Sequence, residues 1–138
     1  MKTLWIYLLL VIPVLFTSNK GLAQDGNNLL SVKNVYEVLQ NKRYTPGEIN
    51  ALIPDLNWDR VSTSKAGKNR STITLIGMMN KEWESLLIED LNFHNDQKNM
   101  IVVTGKVKGR RPTECKYIST RFKHSWTLID GKITNFKE

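Results

Sequence analysis

The chain has 138 residues, with 20 lysines and arginines against 13 aspartates and glutamates, a net charge of +7. That length supplies one hydrophobic core and excludes a second domain of similar size. A single cysteine, Cys115, excludes an internal disulfide framework, and two histidines without metal-ligand spacing exclude a zinc site.

Lys2 gives a short basic start, and residues 4–16 form an apolar run interrupted only by Pro13. Gly21 and Ala23 place small residues where a signal peptidase cuts, which predicts cleavage after Ala23. A spanning helix needs roughly 20 apolar residues, so this run is too short for an anchor. Residues 1–23 are therefore expected as a cleaved signal peptide, and the remainder as an exported domain, periplasmic or secreted. Residues 24–28 read as a disordered polar leader and 29–138 as the folded domain.

Val32, Val35, Tyr36 and Leu39 fall on one helical face, which predicts an amphipathic helix over 29–41. Thr45 and Glu48 form a capping box with Pro46 at the first helical position. Ile49, Leu52 and Ile53 are the buried stripe of that second helix, and Pro54 stops it. Residues 56–63, with Trp58 and Val61, read as a first strand, and 64–69, with Gly67, as a loop. Ser71 or Thr72 caps a third helix through Ile73, Ile76 and Met79, although Ile73-Thr74-Leu75-Ile76 suits a strand equally well.

Residues 85–93 are strand-like, and Asn95-Asp96 is expected as a turn into a terminal meander. There, Ile101, Val103 and Val107 alternate with Thr104, Lys106 and Lys108. Phe122, His124, Trp126 and Leu128 alternate with Lys123, Ser125 and Thr127, so one sheet face is buried and the other wet. Asp130-Gly131 supplies a tight hairpin into residues 133–136. Helices first and antiparallel strands after predict an α+β fold with helices packed on one face of a sheet.

On Val102-Val103-Thr104-Gly105, Arg121-Phe122-x-His124-x-Trp126 and Asp130-Gly131-Lys132-Ile133, the chain resembles the nuclear transport factor 2-like superfamily, also called SnoaL-like or cystatin-like. The upstream strand with Trp58 and the Gly67 loop resemble its exported, uncharacterised members. The resemblance implies a strongly bent antiparallel sheet, a cone-shaped half-barrel wrapped around the helices, with a cavity at its open end. It also implies a homodimer through the outer sheet face, although Thr104, Lys106, Ser125 and Thr127 make that face polar. Steroid isomerase relatives carry a carboxylate base near the position of Val61, which cannot take a proton. Their second inward acid falls on or beside His124, and cyclase-like members use an inward Asp or His on the same strand.

Candidate site residues follow from the inner face. His124 is expected as a general acid–base or hydrogen-bond donor in an apolar cavity. The competing reading is an interior histidine satisfied by a backbone carbonyl or water. Asp59, beside Trp58, and Asp55 are helpers at the cavity mouth, or solvated strand ends. Glu89 is expected inward by the Leu87, Leu91, Phe93 alternation, or as an edge charge that deters aggregation. A ligand pocket is expected from Trp58, Trp83, Phe93, Val103, Phe122, His124 and Trp126.

Lys106, Lys108, Arg110, Arg121 and Lys123 form a basic outer face, either for an anionic polymer or membrane surface or as a solvated face kept charged against stacking. The patch lacks interleaved aromatics, which argues against nucleic acid. No metal and no cofactor is expected. Three functions stay open: a non-catalytic exported domain binding a small apolar molecule or a protein partner, a small isomerase, cyclase or dehydratase using His124, or an envelope protein docking on anionic surfaces. The absent carboxylate at Val61 favours the first over the second.

Overall fold

The structure, a computed structural model, describes residues 20–41, 43–56, 72–97 and 99–138. Three helices, α1 (Lys20–Gln40), α2 (Pro46–Leu52) and α3 (Leu75–Met79), precede four strands, β1 (Ser85–Gln97), β2 (Met100–Arg110), β3 (Ile118–Ile129) and β4 (Lys132–Lys137). The strands form one antiparallel meander in the order β1-β2-β3-β4. Helices on one face of an antiparallel sheet are the expected α+β arrangement.

The α1 helix packs on the sheet and on α2, and buries Val32, Val35, Tyr36 and Leu39. It starts earlier than the apolar stripe indicates, so residues 24–28 are helical rather than a loose leader. Asn28 continues the stripe one turn upstream and is buried, so a polar side chain disguises a core-facing position. The α2 helix has its capping box. Glu48 N–H donates to Thr45 Oγ1 at 3.3 Å, and Thr45 N–H donates to Glu48 Oε2 at 2.5 Å. Such a cap is worth about 1 kcal/mol. Of the two readings for residues 73–76 a helix forms, but it is shorter than expected, Leu75–Met79, and its cap is Thr74 rather than a residue at 71 or 72. Thr74 Oγ1 accepts from Gly77 N–H at 3.1 Å, and Tyr44 Oη donates to Met78 O, tying α3 to the loop before α2. The expected strand at 56–63, with Trp58, Asp59 and Val61, and the loop at 64–69 lie outside the described residues, apart from the buried Leu56.

In the sheet, Ile101, Val103 and Val107 of β2 and His124, Trp126 and Leu128 of β3 face the helices, as the alternation predicts. Asn95 and Asp96 do not turn. They continue β1, which pairs with β2 as far as Gln97 opposite Met100, and Asn99 before β2 has φ 69°. The Asp130-Gly131 turn is as expected, with φ of 50° and 80°, where glycine sits without strain.

A bulge divides β1. Glu89 pairs with Lys106 and Asn92 with Thr104, so Asp90 and Leu91 together oppose Gly105, with Asp90 at φ 55°. The extra residue bends the strand and reverses its phase. Leu86 and Ile88 face the core before it, and Leu91 and Phe93 after it. Two glycines on β2 let aromatic rings lie on the sheet. A Cβ at Gly105 would sit 2.7 Å from Phe122 Cζ, and one at Gly109 would sit 2.8 Å from Trp83 Cε3.

Candidate functional site

The centre of the inner face is a polar cluster inside an aromatic shell. The C-terminal part of α1 supplies Tyr36, and β3 supplies His124 and Trp126 two residues apart on one face. Because Ser125 pairs with Lys137, the next residue, Glu138, comes opposite His124. Trp126 Nε1–H donates to Tyr36 Oη at 3.0 Å, and Tyr36 Oη lies 2.7 Å from His124 Nδ1. A phenol that accepts from Trp126 and donates its own proton to Nδ1 suits a histidine protonated on Nε2. Nε2 faces Glu138 Oε1 at 3.4 Å, an approach without hydrogen-bond alignment. The same carboxylate oxygen accepts from Leu75 N–H at 2.5 Å, at the start of α3.

Electrostatics agree with a neutral His124 beside a neutral Tyr36. Burial lowers the His124 imidazole below its ordinary value, and the Glu138 carboxylate opposes that shift. Burial raises the Tyr36 phenol far above its ordinary range. The Trp126 hydrogen bond pulls the other way, and the Glu138 charge adds to the rise. Phe93, Phe122 and Phe136 pack around these groups, with His124 stacked on Phe122 at 4.3 Å between ring centres.

The cluster is closed. His124 and Trp126 are 0 % exposed and Tyr36 is 1 % exposed. A general acid or base must come within hydrogen-bond reach of its reactant. Tyr36 instead occupies His124 Nδ1, and Nε2 faces Glu138 without a hydrogen-bond partner among the described residues. The structure places Val103, His124 and Trp126 in packed core rather than along a pocket. Phe93 and Phe122 are half-buried against that core. Of the expected pocket residues described here, Trp83 lines an open groove.

Glu89 is not inward. The bulge leaves it on the outer face with Leu87, where it pairs with Lys106 across the ladder and lies 3.7 Å from Lys108 Nζ. Asp55 is exposed, 3.5 Å from Lys132 Nζ. On the outer face Lys106 stands directly across from Arg121, with Lys123 one inter-strand pair further along that face. Arg110 is held by Glu84 at 2.9 Å. Two residues of the central cluster escaped sequence reasoning. Tyr36 reads only as part of a buried stripe, and Glu138 shows itself only by following Phe136 at period two.

The groove lies at the rim, where the end of α1 meets the start of β1. It encloses about 500 Å³ and is lined by Leu39, Tyr44, Trp83, Leu86 and Tyr117, with Lys81, Lys108 and Glu84 at its polar side. Tyr117 is 65 % exposed. Arg111 lies over the Trp83 ring at 5.0 Å and Lys81 over Tyr44 at 4.9 Å, so cations already stack on these aromatic faces.

A bent antiparallel meander with helices on its inner face and a glycine-relieved aromatic core defines a known class of domain. The chain has the nuclear transport factor 2-like fold. It is similar to TerC co-crystallised with polyporic acid, at 21% identity over 80% of this chain and 88% of that one, with a TM-score of 0.59. It is similar to a phenazine biosynthesis-related protein of Pseudomonas aeruginosa at 17% identity over 92% and 82%, with a TM-score of 0.58. A nuclear transport factor 2-like protein of Burkholderia thailandensis matches at 18% identity over 80% and 87%, with a TM-score of 0.56. No family model and no curated protein matches the sequence.

Proposed function

We propose that this protein is a non-catalytic binding domain that takes a small, largely apolar molecule bearing an acidic group in the rim groove. The observation that carries the reading is the contrast between two places. The inward Tyr36 and His124 are fully buried and bonded to each other, whereas the groove offers apolar and aromatic surface beside two lysines and one glutamate, Glu84, that Arg110 already pairs. Small-molecule sites are concave, mostly apolar and fixed by a few polar groups, and this groove has that make-up. TerC, with the same fold, was crystallised with polyporic acid, which supports the choice of an acidic ligand.

The test uses 1-naphthoate as probe, followed by calorimetry and by tryptophan fluorescence. Binding is expected, weakened by Tyr117→Ala or Lys108→Glu without change in melting temperature. His124→Gln is expected to leave binding per folded molecule unchanged. Absence of binding would overturn the proposal, and binding lost in His124→Gln but intact in Tyr117→Ala would move the site from the groove to the buried centre around His124.

A further inference from the structure

The outer face of the sheet carries a line of cations whose order is set by strand register. Lys137 of β4 pairs with Ser125, Lys123 of β3 with Thr104, and Arg121 of β3 with Lys106 of β2. Lys108 and Arg110 continue the same face along β2, so the line runs diagonally across three strands. Strands lie about 5 Å apart and same-face residues of one strand about 7 Å apart, so successive cations follow at about 5–8 Å. One end is neutralised, with Glu89 3.7 Å from Lys108 Nζ and Glu84 holding Arg110 at 2.9 Å. Lys106, Arg121, Lys123 and Lys137 have no ion-pair partner among the described residues, and neither has Asp90, exposed at the β1 bulge. Of the 13 aspartates and glutamates only Asp59 lies outside the described residues, so at most one further acidic side chain exists there to pair four free cations. Solubility alone is served by interspersed signs, whereas a line of one sign concentrates potential.

We propose that this line binds an acidic polysaccharide, a linear polymer carrying carboxylates or sulfates at regular intervals. Charge complementarity along one dimension carries the choice, and the rest of the face argues against the other occupants. A second copy would set the line against its own symmetry mate, like charge on like. A lipid surface is gripped best where apolar side chains stand among the cations and insert. Here the neighbours of the line are Thr104, Ser119 and Ser125, Val102 is buried, and the exposed Leu87 and Ile129 stand at opposite ends of the sheet. Single-stranded nucleic acid is held by aromatic rings on which its bases stack. Phe93, Phe122, Trp126 and Phe136 all pack into the core on the opposite face. A polysaccharide needs neither wedge nor platform, only cations in sequence along its length. Lys108 also borders the rim groove, but the four free cations do not line it, so this surface stands apart from what the groove binds.

The experiment titrates the full chain with heparin by calorimetry over a range of salt from about 50 to 200 mM. Binding is expected at the low end, with the logarithm of affinity falling linearly against the logarithm of salt as counterions are released. Arg121→Gln combined with Lys123→Gln is expected to weaken binding about tenfold or more at low salt and to flatten the slope by about two, one for each lost cation. Lys33→Gln combined with Arg43→Gln removes the same charge from the helical side and is expected to change affinity less than about twofold, because screening shortens the reach of distant charge. All four side chains are exposed, so both double variants should keep the melting temperature. No heparin binding at low salt overturns the proposal. So does an equal loss in the two double variants, which would reduce the effect to net charge. Tighter binding to a DNA oligonucleotide, or to phosphatidylcholine vesicles containing phosphatidylglycerol, than to heparin overturns the assignment to a polysaccharide.

Discussion

Tyr36→Phe isolates the central hydrogen-bond chain, because it deletes one oxygen and keeps the ring. That oxygen accepts from Trp126 Nε1 at 3.0 Å and meets His124 Nδ1 at 2.7 Å. The ring contacts to Phe93 at 5.6 Å and Phe122 at 6.2 Å survive, so no large cavity opens. The cost is therefore that of two polar groups left unpaired in full burial, one donor and one acceptor. At about 1–3 kcal/mol for each, the expected loss is about 2–6 kcal/mol. Urea unfolding at neutral pH, read by tryptophan fluorescence, gives the number directly, and an unchanged slope with urea keeps the comparison valid. Trp126→Phe and the double variant complete a cycle. Both single changes break the same bond, so the double loss should fall short of their sum. A loss below about 0.5 kcal/mol for Tyr36→Phe, typical of an innocuous surface change, would refute the reasoning. It would mean that water reaches these groups and that the centre is a wet cavity.

The pH dependence follows from the same residue set. The native chain binds a proton at His124 only below its lowered value, whereas the unfolded chain binds one near pH 6.5. Stability is then full above about 6.5 and falls as pH drops from there towards the lowered value, by at most about 1.4 kcal/mol per pH unit. Urea midpoints between these limits should lose that slope in His124→Gln, and equal slopes in both proteins would assign it elsewhere. Gly105→Ala forces a methyl against Phe122 and, at 3.2 Å, against the Glu89 carbonyl, and should cost about 1–3 kcal/mol. Thermal melts should show part of the loss recovered by adding Phe122→Leu, and no recovery would place the strain on the backbone contact.

Much of the fold was legible because its signals are local. The capping box at Thr45, the Asp130-Gly131 turn and the alternation on β2 and β3 each depend on a few neighbouring residues, and each appears in the structure. The errors arise where a non-local feature overrides the local one. Glu89 looks inward only if β1 keeps one phase. Asp90 adopts a left-handed conformation that aspartate tolerates but does not announce, and the phase breaks there. Asn95 and Asp96 have turn chemistry, yet pairing with Ile101 and its neighbours extends the strand past them. His124 was identified as the inward polar residue, but the groups that face it, Tyr36 and Glu138, come from other elements. Spacing along one strand carries no trace of those neighbours, so it cannot separate an accessible histidine from a sealed one.

The bulge in β1 also sets which kinds of change the strand can accept. Leu86 and Ile88 sit on even positions and Leu91 and Phe93 on odd ones, and all four face the helices because one residue between them is uncounted by the ladder. Swapping Asp90 for asparagine or glycine alters only how comfortably that residue bends. Removing it restores a continuous phase and sends one of the two apolar pairs into solvent, whichever way the register resolves. Chain length at this point is therefore a tighter constraint on the fold than residue identity.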